Sequence, residues 1–197
     1  MIRGNKTQLN SGAVGGERGN VENVATCQDR ELITDGSDYK KWTVLGNDTL
    51  NLTEHANHII GTKSIEFDKV NGAANTVNAG IYRADLDLDL SRFLADDLLL
   101  AYLYVSDKTD IVSARIRLGT DASNYSEWSL LAAGITVGGW QEFKKALKDV
   151  TMAVTGNGVN LSAMKYVAFL VEFSAEDKAL ADIRLDSIYM KSIAPAS

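Results

Sequence analysis

The sequence predicts an all-β chain: an antiparallel jelly-roll β-sandwich of about eight or nine strands preceded by an extended N-terminal arm. Three observations carry this. From Trp42 onward, apolar and polar residues alternate with a period of two. Helical periodicity is nearly absent. Turns fall to Gly, Asn and Asp, because the 197 residues contain one proline, Pro195.

The arm comes first. Residues 1–38 contain no Phe, Tyr or Trp, and they carry Gly4, Gly12, Gly15, Gly16, Gly19 and Gly36. Their apolar residues are small and isolated, so burial cannot offset the cost of ordering the backbone, about 1–2 kcal/mol per residue. The expected division is therefore an arm over residues 1–40 and a sandwich over 41–197. The arm is read as a docking segment for neighbouring subunits, with Val14, Val21 and Val24 filling shallow pockets and Arg18 and Arg30 pairing with acids across the contact. The alternative is a frayed terminus.

The strands follow. Ile65 and Phe67 alternate with Ser64, Glu66 and Asp68. Ile81, Leu86, Leu88 and Leu90 interleave with Asp85, Asp87 and Asp89, which predicts a half-buried strand. Ala114, Ile116 and Leu118 alternate with Arg115 and Arg117, and Ile183 and Leu185 with Asp182, Arg184 and Asp186. Two runs, Leu98–Val105 and Tyr166–Val171, are apolar on both faces, as central strands are. Shorter candidates lie at Thr43–Leu52, Tyr125–Leu131 and Gly139–Leu147.

Composition excludes several functions. A net charge of −6 repels phosphate backbones, so no nucleic-acid partner is expected. No apolar run approaches the roughly 18 residues of a membrane helix. The opening residues hold no apolar stretch of signal-peptide type, which predicts synthesis in a cytoplasm. Cys27 is the single cysteine, so no intrachain disulfide forms. The two histidines, His55 and His58, read as solvent-facing. No Gly-x-Ser-x-Gly elbow, His-Glu-x-x-His pair or phosphate loop occurs. The paired carboxylates read as solvated faces rather than a glycosidase pair. The chain is therefore expected to be no enzyme and to need no cofactor.

Two sets of candidates remain. Glu66, Asp68, Asp182 and Asp186 lie on strands that would sit side by side at one end of a sandwich, where they would hold a structural calcium ion; otherwise they are exposed acids balanced by Arg184 and Lys69. Trp42, Tyr125, Trp128 and Trp140 fall near predicted loops or strand edges, where flat rings bind sugars. Trp42, Tyr125 and Trp128 are the ligand-binding candidates, and core packing is the competing explanation.

The segments Ser64–Thr76 and Arg117–Trp128 resemble parts of structural proteins of tailed bacteriophages. The ordered set Gly139-Trp140-Gln141-Glu142-Phe143, Lys165-Tyr166-Val167-Ala168-Phe169 and Asp182-Ile183-Arg184-Leu185-Asp186 is similar to carbohydrate-binding-module, or galactose-binding-like, jelly rolls. The resemblance covers about residues 60–190. It implies a virion protein made in the host cytoplasm, a head decoration protein held by its arm to other virion proteins. That protein would be a homo-oligomer such as a trimer. The alternative is a carbohydrate-binding adhesion module on a tail, baseplate or fibre, with a surface glycan as ligand.

Overall fold

The computed structural model describes residues 30–37, 39–71 and 76–193. Among them are twelve strands: β1 (Arg30–Thr34), β2 (Thr43–Val44), β3 (Thr49–His55), β4 (Ser64–Lys69), β5 (Asn78–Arg83), β6 (Leu98–Tyr104), β7 (Ile111–Asp121), β8 (Asn124–Leu131), β9 (Trp140–Ala146), β10 (Ala153–Thr155), β11 (Tyr166–Phe173) and β12 (Leu180–Lys191). The first sheet runs β3-β4-β12-β6-β9, with β1 also paired to β12, and the second runs β10-β8-β7-β11-β5-β2. All pairings between strands are antiparallel. The jelly-roll sandwich expected from the sequence is the fold. It has more strands than expected because β1 and β10 fall where no strand was expected and the candidate at Thr43–Leu52 divides into β2 and β3.

The alternation decides which side chains meet between the sheets. Ala114, Ile116 and Leu118 of β7, Val167, Phe169 and Val171 of β11, and Leu99, Ala101 and Leu103 of β6 form one buried core with Ile65 and Phe67 of β4. Phe67 and Phe169 meet edge to face across it, with centroids 6.0 Å apart. β6 and β11 are central strands, as their two-sided apolar runs predict. Residues 84–90 differ from expectation. They keep alternating burial but form no strand; the backbone N–H groups of Leu86, Leu88 and Leu90 donate to the carbonyls of Lys165, Met164 and Leu161, and Leu88 and Met164 form an isolated bridge.

β1 lies inside the segment expected to be an arm, yet it pairs with β12 and buries Ile33 in the core. Its five residues, Arg30-Glu31-Leu32-Ile33-Thr34, carry no alternation by which a strand could be read. Arg30, expected to reach an acid on a partner, lies over the Tyr189 ring of its own chain, 5.7 Å from the centroid. Val14, Arg18, Val21 and Val24 lie outside the described residues.

Turns without proline are made by side chains. Asp89, Asp107, Asp121, Asp149 and Asn160 each accept a hydrogen bond from the backbone N–H two residues on, which fixes the reversal as a proline ring otherwise would. At one end of the sandwich a buried cation does similar work. The Lys69 ammonium donates to the carbonyls of Val70 (2.8 Å) and Glu176 (3.2 Å) and lies 3.6 Å from the Asp48 carboxylate, with both side chains fully buried. It joins the loops that follow β2, β4 and β11.

Candidate functional site

The outer face of the second sheet concentrates rings and charges. On β7, the residues alternating with the core set are Ser113, Arg115, Arg117 and Gly119; on β11 they are Tyr166, Ala168, Leu170 and Glu172. β5 adds Tyr82, and β8 adds Tyr125 and Glu127.

Three tyrosines form a ladder across these strands. Tyr166 stands between Tyr82 and Tyr125, with centroids 6.0 and 6.3 Å away and planes tilted by 36° and 39°. Gly119 makes this possible. It is the register partner of both Tyr125 and Tyr166, and a Cβ there would lie 2.1 Å from the Asn124 carbonyl oxygen and 2.8 Å from Tyr125 Cα. Tyr166 is only 2% exposed, and that burial pushes its hydroxyl pKa up. Tyr82 and Tyr125 remain half-buried.

Beside the ladder runs a continuous ionic chain. Arg117 donates from Nε to Glu127 Oε2 (2.6 Å), and its guanidinium lies 4.5 Å from the Tyr125 centroid. Arg115 Nη1 is 3.6 Å from Glu127 Oε1, and Arg115 also pairs with Glu172. Ser113 donates to Glu172 Oε2 (3.0 Å) and accepts from Arg115 Nε (3.0 Å). Burial pushes Arg117 toward losing its proton, but the bond and charge of Glu127 outweigh it and the guanidinium is held more firmly protonated. Burial likewise raises Glu172, yet Arg115 and Ser113 prevail and hold its carboxyl below the usual range. Fixed guanidinium and carboxylate groups beside aromatic faces are the equipment for binding a hydroxyl-rich, flat-sided ligand.

Of the three predicted ligand residues, only Tyr125 lies on this face. Trp42 and Trp128 are 4% and 1% exposed and belong to the core between the sheets. Trp128 donates its indole N–H to the carbonyls of Ala146 and Leu147. The sequence puts both near predicted loops or strand edges, but the alternation on β8 points Trp128 inward with Leu130. Core packing is their role.

The predicted metal set is also redirected. β4 and β12 do pair, with Arg184 opposite Glu66. Glu66 accepts from Arg184 Nε at 2.6 Å. Asp68 accepts from Asn51 Nδ2 (2.6 Å) and from the Asp182 backbone N–H (3.0 Å), and Asp182 itself is exposed, 3.9 Å from Arg184. Asp186, fully buried, accepts from the backbone N–H groups of Ile59 and Ile60 and from Ser187 Oγ (2.9 Å). Glu66 and Asp182 are both drawn to Arg184, while Asp68 and Asp186 are turned to donors of their own. Among the described residues no three His, Cys, Asp or Glu side chains gather to hold a metal ion.

No protein-family model matches the chain, and no curated protein matches it by sequence. Solved structures do. A family 11 carbohydrate-binding module from Clostridium thermocellum, in complex with a β-1,3-1,4-mixed-linked tetrasaccharide, superposes with a TM-score of 0.58 at 10% identity, covering 85% of this chain and 98% of the module. The fold is shared with carbohydrate-binding-module jelly rolls. A family 30 carbohydrate-binding module gives 0.57 at 12% identity over 83% of this chain and 98% of the module. An exo-β-agarase gives 0.59 at 13% identity, with this chain spanning 25% of that enzyme. At such identities the likeness is one of fold. None of these three is described as a phage or virion protein.

Proposed function

We propose that this chain is a non-catalytic glycan-binding protein whose ligand lies across the outer face of the second sheet. The observation that carries the reading is the Tyr82–Tyr166–Tyr125 ladder bordered by the Glu172–Arg115–Glu127–Arg117 chain. Sugar rings present axial C–H groups to aromatic faces and hydroxyl groups to planar charged side chains. Here both kinds of partner are fixed before binding: Tyr166 by burial, Arg115 and Arg117 by carboxylates. Little side-chain freedom is then lost on association. The tetrasaccharide held by the family 11 module of like fold supports the same ligand class.

The face is arranged for holding rather than cleaving. A glycosidase needs one carboxyl kept protonated beside a second, ionised one. Glu172 is displaced the other way, toward the ionised form, and Arg115 lies between it and Glu127.

Affinity electrophoresis through gels containing mixed-linkage β-glucan, agarose or xylan tests the reading. Retardation is expected in at least one gel. Tyr82→Ala and Tyr125→Ala should each weaken it about tenfold, equivalent to ~1.4 kcal/mol, with unchanged circular dichroism. Retardation untouched by both substitutions, or release of shorter sugars from the polysaccharide, would overturn it.

A further inference from the structure

The outer face of the first sheet repeats the unit just described. On the second sheet, Arg117 lies 4.5 Å from the Tyr125 ring and donates from Nε to Glu127 at 2.6 Å. On the first, Arg184 lies 4.5 Å from the Tyr104 ring and donates from Nε to Glu66 at 2.6 Å. The second copy is built along one cross-strand row, in which Trp140 of β9 pairs with Tyr104 of β6, Tyr104 with Arg184 of β12, and Arg184 with Glu66 of β4.

Trp140 ends that row, on a strand that among the described residues is paired on one side only. Its ring meets Tyr104 edge-on at 6.0 Å and 60°. Its indole N–H donates to Asn57 Oδ1 (3.2 Å) from the loop that Asp186 ties down. The indole is thus oriented from two directions while remaining half-exposed, whereas the other two tryptophans are in the core. Two register steps along, on the same face, exposed Glu142 is paired with Tyr102.

We propose that Trp140, Tyr104, Tyr102 and Glu142 form a second glycan-binding surface, on the opposite side of the sandwich from the tyrosine ladder. The inference rests on the glycan reading of that ladder. Trp140 supplies the stacking ring, Glu142 an acceptor for sugar hydroxyls, and the Arg184–Glu66 pair stiffens Tyr104 from behind. The patch alternates rings with hydrogen-bonding groups, which suits a hydroxylated ligand better than an apolar protein surface. Two faces engaging one polysaccharide would hold it by avidity where each alone binds weakly.

The indole N–H resonances make this directly readable, because Trp42 and Trp128 are buried and only Trp140 reports from the surface. The full-length protein is titrated with the mixed-linked tetrasaccharide and, separately, with an agaro-tetrasaccharide, following the indole signals and the backbone amides of Tyr82 and Tyr125. The expected result is a saturable shift of the Trp140 signal that persists in a Tyr82→Ala/Tyr125→Ala variant. Trp140→Ala should lower retention on the polysaccharide several-fold while leaving the Tyr125 shifts in place. Movement at Tyr82 and Tyr125 with a silent Trp140 overturns the second surface and leaves the first. A Trp140 shift that vanishes in the double variant overturns its independence. A Trp140 shift that follows protein concentration without sugar assigns the patch to self-association instead. Silence at both faces with both sugars removes both readings.

Discussion

Replacing Lys69 by Met keeps most of the side-chain volume and removes the ammonium. That ammonium lies 3.6 Å from Asp48 Oδ2, with both groups out of contact with water. At an effective dielectric of about 20, the gross attraction at that distance is roughly 4–5 kcal/mol. Two further contacts go with it, to the Val70 and Glu176 carbonyls, and a buried acceptor left unmatched costs about 1–3 kcal/mol. Thioether packing returns part of this, so the net loss should fall at about 3–5 kcal/mol, the range seen when one partner of a buried pair is removed. Urea unfolding followed by tryptophan fluorescence measures it. With a slope of about 2 kcal/mol/M, the midpoint should drop by about 1.5–2.5 M. Adding Asp48→Asn to Lys69→Met should recover part of the loss, since the amide oxygen still accepts from the Thr76 N–H now 2.9 Å from Asp48. A Lys69→Met midpoint within about 0.3 M of the parent would refute the reasoning, showing that the pair gains no more than it costs to desolvate.

Gly119→Ala should destabilise by about 1–3 kcal/mol and weaken glycan retention more than Gly139→Ala, where a Cβ meets nothing within 4 Å; equal behaviour of the two in calorimetry and gel retardation would contradict the close approach at Gly119. Phe169→Ala and Leu103→Ala, both fully buried, should each cost about 2–5 kcal/mol in urea unfolding. Glu172 has its folded pKa depressed by Arg115 and Ser113 against burial, and Asp85 has its own depressed by its bond to Arg83. Their contribution is therefore present above the ordinary carboxylate values and is lost as pH falls through the folded ones; melting temperature and glycan retention should stay level near neutrality and decline below about pH 4, and a decline beginning above pH 6 would point to other groups.

The sandwich was legible because alternation writes itself into sequence wherever one face is buried. Ala114, Ile116 and Leu118 against Arg115 and Arg117 gave β7 its two faces. The adjacency of Glu66 and Arg184 was legible too, in the expectation that their strands lie side by side. What could not be read was register. Tyr82, Tyr166 and Tyr125 are far apart in sequence, and only the pairing of β5, β11, β7 and β8 brings them together. Tyr166 was hidden further, because in Tyr166–Val171 its outer-face neighbours Ala168 and Leu170 are as apolar as the core residues between them. The acidic set failed for a different reason: whether a carboxylate is available to a metal depends on which donors reach it first. Ile59 and Ile60 reach Asp186 from a loop more than a hundred residues away, and no local pattern announces that. The sequence signal for the proposed face is the pair of arginines on one side of a strand in an acidic chain, each needing a carboxylate from a neighbouring strand.

A crystal structure of the protein soaked with the β-1,3-1,4-mixed-linked tetrasaccharide tests the central claim most directly, because it shows where the sugar lies. The account predicts sugar rings across β5, β11, β7 and β8, packed on the exposed edges of Tyr82 and Tyr125. Their hydroxyls should lie within hydrogen-bond distance of Arg115, Arg117, Glu127 or Glu172. Sugar bound elsewhere on the molecule while that face holds only water would contradict it.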